Sequence, residues 1–174
     1  IEDICASGAY YIASAADEIY ADKGSIVGSI GVRMDGFGFV EAMSRLGIER
    51  RLLTAGDHKG FLDPFLPVKE DERKHVATML GEIHQQFINT VQKGRRDRLK
   101  PGADLFNGFV WTGERSLELG LVDALGSADY IAREVIKAET LVEFTPKEGV
   151  LEHFGRKFGS QVAATVRQSM MSIW

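Results

Sequence analysis

The strongest constraint on the fold of this chain is the way short apolar runs alternate with helix-forming stretches, glycine marking most of the joints. Residues 1–6 read as a strand, and a helix follows Ser7 to about Ala16, where Ala13, Ala15 and Ala16 are strong helix formers. A short strand at 19–21 and a glycine-studded one at 25–32 come next. Phe39, Val40, Met43 and Leu46 then give a short amphipathic helix that Gly47 ends, before a further strand at 50–54. Strands alternating with helices predict an α/β domain with a substantially parallel sheet.

The second half opens with a long helix over about 69–98. Val76, Met79, Leu80, Ile83, Phe87 and Val91 form one apolar stripe. Glu70, Asp71 and Glu72 start it, and Lys93, Arg95, Arg96 and Arg98 end it, which complements the helix dipole; the basic cluster reads as a solvated helix end. Pro101-Gly102 breaks the helix. A capped helix at 112–120, a brief strand at 121–123, a helix at 128–137 and a strand at 141–144 follow. After Pro146 the pattern changes: Leu151, Phe154, Phe158, Val162, Val166 and Met170 make an amphipathic helix that needs a surface to cover, a neighbouring subunit or the body of the domain. The organisation expected is a main domain over 1–146 and a helical tail over 147–174.

A net charge of −4 over 174 residues argues against a general nucleic-acid binder. One cysteine, Cys5, excludes an internal disulfide framework and a cysteine-rich zinc site, and on an apolar strand it reads as a small buried hydrophobe. Neither a metal nor a cofactor is expected. No apolar run approaches the ~18 residues that span a bilayer. The chain opens on Ile1 inside an apolar run, as a fragment or processed form would.

Chemistry concentrates at Ser7. It sits at a strand-to-helix turn among Ala6, Gly8 and Ala9, so little shields its hydroxyl, and free backbone N–H groups surround it. That suits a nucleophile whose transition state gathers negative charge on oxygen; a helix N-cap is the other reading. A neutral serine needs a base. Of the four histidines, His75 and His84 lie on the long helix outside its apolar stripe and His153 in the tail, where all three read as surface polar residues. His58 alone is on a loop. Beside it, Lys59 is followed by Phe61, Leu62, Pro64 and Phe65, surroundings that would strip part of its hydration and favour a neutral amine. A solvated loop lysine is the alternative. The glycine-rich strand around Gly28 to Val32 could take an extended peptide by strand addition, with Tyr10, Phe61 and Phe65 as apolar walls.

Four motifs stand in order: Ala6-Ser7-Gly8-Ala9-Tyr10-Tyr11; Gly28-Ser29-Ile30-Gly31-Val32; Gly56-Asp57-His58-Lys59 with Pro64-Phe65; and Trp111-Thr112-Gly113 through Gly120-Leu121-Val122-Asp123. Together they resemble the bacterial signal peptide peptidase A family (protease IV, with the related SohB proteins), over about residues 1–142. The resemblance implies a ClpP/crotonase-like core of stacked βαβ units whose N-terminal part is absent here. It also implies a serine–lysine dyad endopeptidase: Ser7 the nucleophile, Lys59 the general base, Ser29 orienting the lysine, and Gly8 giving an oxyanion N–H. Gly28, Ile30, Gly31, Val32 and Tyr10 would contact substrate. Position 9 departs from the pattern, carrying alanine where the family commonly has a second glycine. The family further implies remnant signal peptides as substrates and a ring-like homo-oligomer in which Lys59 can serve a neighbour's Ser7. A bacterial membrane location with the catalytic domain on the extracytoplasmic side, anchored through a segment outside this chain, completes the set. A non-catalytic scaffold of the same fold, or a ClpP- or crotonase-type enzyme with other chemistry, stays open.

Overall fold

Serine or glycine follows the last residue of every strand but one in this chain's described sheets. The computed structural model describes residues 1–102, 104–138, 140–142 and 144, and the elements below belong to one unit, Ile1–Lys137. Strand β1 (Ile4–Ala6) leads through Ser7 into helix α1 (Gly8–Ala13); β2 (Tyr20–Ala21) and β3 (Ile26–Gly28) follow. Helix α2 (Val40–Arg45) and the long α3 (Glu70–Arg95) come next, then β4 (Val110–Thr112), α4 (Gly113–Leu119), β5 (Ala124–Leu125) and α5 (Ala128–Tyr130), which continues as a wide turn over Ile131–Val135. The chain is therefore mixed α/β, as expected, with small sheets.

One sheet has the order β1-β3-β4. β1 and β3 run parallel in the register Ile4↔Ile26, Cys5↔Val27, Ala6↔Gly28, while β4 is antiparallel to β3. The second pairs β2 with β5, parallel. Alternation along the parallel pair puts Cys5 and Val27 inward and leaves Ile4 and Ile26 outward. Helix α1 packs on this sheet through Tyr10, and the C-terminal half of α3 closes the core with Phe87 and Val91. Caps fix the short helices: Thr112 Oγ1 accepts from the Arg115 N–H, Ser127 Oγ from the Tyr130 N–H, and Gly120 takes the left-handed conformation (φ 79°) that ends α4.

Several elements differ from the sequence expectation. The strand expected over 25–32 ends at Gly28, because Ser29 turns left-handed (φ 54°) and the Gly31 N–H folds back onto Ser29 O at 2.9 Å. No strand forms at 50–54: its residues are exposed, and no described strand offers backbone partners, without which an extended run does not register as sheet. The ladder expected at 121–123 lies instead at β5, the Leu121 and Val122 N–H groups being spent on Ser116 O at the end of α4. β4, antiparallel to β3, is a strand the sequence expectation lacks. In α3 only the C-terminal half of the apolar stripe is buried; Ile83 is exposed and Val76, Met79 and Leu80 are half-covered. Leu141, Val142 and Phe144 have no regular structure. The tail helix, and the domain boundary drawn at Pro146, lie outside the described residues.

The basic end of α3 is also unlike the solvated cluster expected. Arg95 is wholly buried: Nη1 and Nη2 each donate to an Asp123 carboxylate oxygen at 2.8 Å, and Nε donates to Gly120 O at 3.0 Å. Asp123 also accepts from the Ile19 N–H at 2.7 Å and has Arg98 Nη1 at 3.5 Å. Burial pushes the Asp123 carboxyl up, but the Arg95 and Ile19 hydrogen bonds and the two guanidinium charges outweigh it, and the net shift is downward. Two distant segments of the chain, one at Ile19 and one at Arg95 and Arg98, are tied to Asp123 at this carboxylate.

Candidate active site

Ser7 is held between the last residue of β1 and the first of α1 at φ 53°, ψ −122°, a conformation that non-glycine residues occupy only under constraint. Two backbone bonds constrain it. Its N–H donates to Gly28 O at 2.8 Å, locking the turn to β3, and its carbonyl accepts from the Tyr11 N–H at 2.9 Å, starting α1. The hydroxyl makes no capping bond, so the N-cap reading does not hold here. Exposed and uncommitted to the helix end, the side chain stands at a sharp strand-to-helix turn of the kind that presents nucleophiles.

A cavity of about 780 Å³ opens over this turn. Ser7, Gly8, Ser29, Gly31 and Val32 line one side; Ile83, Gln86 and Phe87 of α3, with Asn107 and Gly108, line the other. The two serines expected to work together thus share a cavity. Ser29 is fixed by its N–H donating to Phe109 O at 2.7 Å. Gly31 is required by proximity, since a Cβ there would stand 3.0 Å from the Gly108 Cα.

Three expected contacts fall elsewhere. Tyr10 is a core residue: fully buried, it donates its hydroxyl to Leu121 O at 2.7 Å, and its neighbour Tyr11 lines the cavity instead. One residue along a helix turns about 100°, which separates the two rings. The Ile30 side chain is buried in the core. Gly28 is committed to the sheet, its carbonyl taken by the Ser7 N–H, and a Cβ on it would stand 2.8 Å from the Trp111 ring.

Lys59 does not line this cavity. It is exposed, on a turn whose neighbours His58 and Phe61 lie against Asp71, Glu72 and His75 in the first turns of α3. His58 Nδ1 is 3.8 Å from the buried Glu72 carboxylate, and the Phe61 ring meets His75 edge-on at 5.9 Å. The cavity touches α3 at residues 83–87, so at about 1.5 Å per residue the two sites are roughly 20 Å apart along the helix. Cys5 is buried as expected, and burial pushes its thiol up, away from the reactive thiolate.

Sequence reasoning missed the α3 side of the cavity, along with Tyr11 and Asn107. The stripe positions Ile83 and Phe87 were the available signal, but nothing in a stripe distinguishes a core wall from a cavity wall. His84 was missed as well: it is half-buried, its Nε2 3.3 Å from Ile30 O, rather than a free surface residue.

A mixed α/β unit with a strained serine between strand and helix, its hydroxyl open to a cavity, defines a candidate serine hydrolase. Comparison with known proteins agrees: residues 1–142 match the model of Peptidase family S49, and the chain belongs to that family. It is similar to the "Probable protease SohB" of Buchnera aphidicola (31% identical; 88% of this chain, 46% of that protein) and to the "Serine protease SPPA, chloroplastic" of Arabidopsis thaliana (28%; 96% and 26%). It is also 43% identical to a Brucella abortus protein named "Na(+)/H(+) antiporter NhaA", over 90% of this chain but 21% of that protein. The chain thus spans from a fifth to less than half the length of these relatives.

Proposed function

We propose that this chain is the catalytic part of a serine endopeptidase of the ClpP/crotonase-like fold that cleaves peptides through an acyl-serine intermediate. The observation that carries the reading is the strained Ser7 with its hydroxyl free of the helix cap and facing a cavity shared with Ser29. A neutral Lys59 amine takes the Ser7 hydroxyl proton as Oγ attacks the scissile carbonyl, with the Gly8 N–H donating to the oxyanion. The tetrahedral adduct collapses, the C–N bond breaks, and the lysinium returns the proton to the departing amine. A water, deprotonated by the same amine, then attacks the ester and releases the acid and Ser7. Ser29 orients the amine.

The Lys59 that serves a given Ser7 comes from a neighbouring copy in a ring-like oligomer, which the roughly 20 Å between the two sites along α3 supports. Exposed apolar residues on the intervening segment, among them Phe37, Leu46, Ile48 and Leu53, support a covered face there. The substrates are remnant signal peptides at a bacterial membrane, handled on its extracytoplasmic side by a protein anchored through a segment outside this chain. Cation antiport is not favoured, since this chain matches a fifth of the antiporter-named protein and none of its described helices is long and apolar enough to cross a membrane.

In the whole protein, Ser7→Ala and Lys59→Ala should each reduce peptidase activity at least about a thousandfold, as loss of a nucleophile or its base does elsewhere. Mixing the two inactive variants should restore part of it. Substantial activity in either variant alone overturns the dyad, and no recovery on mixing overturns the exchange between copies.

A further inference from the structure

The segment after β3 carries the second serine and the cavity-lining Gly31 and Val32, yet it has left the sheet and lost the ladder that would hold a strand in place. Its remaining backbone ties are few: the Ser29 N–H on Phe109 O, and the Gly31 N–H folded onto Ser29 O. The second is internal to the segment and anchors it to nothing. Between these lies Ile30, whose carbonyl is met by His84 Nε2 at 3.3 Å. A carbonyl oxygen only accepts, so the histidine must donate, carrying its proton on Nε2 or on both nitrogens. His84 stands on α3 in the same turn as the cavity residues Ile83 and Phe87.

We infer that His84 is a positioning residue for the peptidase site, pinning the Ile30 carbonyl to α3 and thereby holding Ser29, Gly31 and Val32 on the cavity. This rests on the peptidase reading of Ser7. Among the described residues His84 is the one side chain that hydrogen-bonds this backbone. It touches neither the nucleophile nor the attacked carbonyl. Its contribution is the register of the segment along which an extended peptide would lie.

Replacement tests it in the whole protein. Gln places an amide N–H near the position of Nε2, whereas Ala removes the donor. His84→Ala should raise KM for a peptide substrate about tenfold with a smaller change in kcat, the scale of one lost hydrogen bond, and His84→Gln should recover most of that. A histidine that serves only stability would instead lower the amount of active protein, reducing apparent kcat at unchanged KM. Hydrogen exchange supplies a second readout that needs no activity. His84→Ala should speed exchange of the hydrogen-bonded Ser29 and Gly31 amides at least about tenfold, while those of β1 and β4 keep their rates. Unchanged KM in a Ser7-dependent peptidase, or unchanged exchange at Ser29 and Gly31, overturns the role of His84. A whole protein that cleaves no peptide but shows the exchange effect overturns the peptidase reading and leaves the His84 anchor standing.

Discussion

Ser7 and Ser29 share an unusual backbone conformation, φ 53° and φ 54°, although serine gains nothing from it locally. Each such residue costs on the order of 1–3 kcal/mol, so the surrounding bonds must over-determine it. For Ser7 those bonds are Gly28 O and the first turn of α1; for Ser29, Phe109 O. Tyr10, three residues on from Ser7, shows the opposite bargain, a large residue fully buried with its one polar atom satisfied by Leu121 O. Tyr10→Phe should therefore destabilise the fold by about 1–3 kcal/mol, because a buried carbonyl loses its partner while the ring still fills its space. Denaturant unfolding would read this, and peptidase activity at permissive temperature should be kept. Loss of activity with unchanged stability would return Tyr10 to the substrate site.

Helix α3 does two jobs along its length, and its glycines mark the division. At Gly94 the helix crosses the end of α1 so closely that a Cβ would overlap the Ser14 carbonyl. At Gly81 a Cβ would meet nothing within 4 Å. Alanine is favoured over glycine in a helix interior, as at Gly81, by up to about 1 kcal/mol, and less at Gly94, next to the last residue of α3. At Gly81 that gain stands alone, so Gly81→Ala should raise the melting temperature. At Gly94 a backbone clash opposes it, and overpacking of this kind costs about 1–3 kcal/mol or more, so Gly94→Ala should lower it. Thermal melts of the two variants side by side would check both signs.

Across the whole unit, the Arg95–Asp123 pair joins the end of α3 to the start of β2, the end of α4 and the approach to β5. Removing one member leaves the other charged and buried, so Asp123→Asn should cost on the order of 3 kcal/mol at neutral pH. The Asp123 carboxyl is held below the usual carboxylate range in the folded chain. Its contribution is therefore full above the unfolded carboxylate pKa of about 4 and is lost as pH falls through the lower folded value. The stability gap between wild type and Asp123→Asn should stay constant from neutral pH to about 4, then close in stronger acid. A gap that closed near pH 6 instead would assign the linkage to another group.

What the sequence determined by itself was local: the order of helices, the serine turn, the small residues around it and the motifs that mark the family. These are written in spacing and residue type, which the chain carries without needing to meet itself. Tertiary structure decided what depends on distant segments arriving at one place. Arg95 reads as one more cation at a helix end until Asp123 reaches it, and His84 as a surface histidine until the Ile30 carbonyl turns toward it. The run at 50–54 reads as a strand, but a strand needs a partner's backbone, and the described chain offers it none. The same limit governs Ser7 and Lys59. Both can be picked out from sequence, but the cavity holds Ser7 with Ser29 while Lys59 lies near the other end of a helix about 1.5 Å long per residue, a separation no spacing along the chain could reveal.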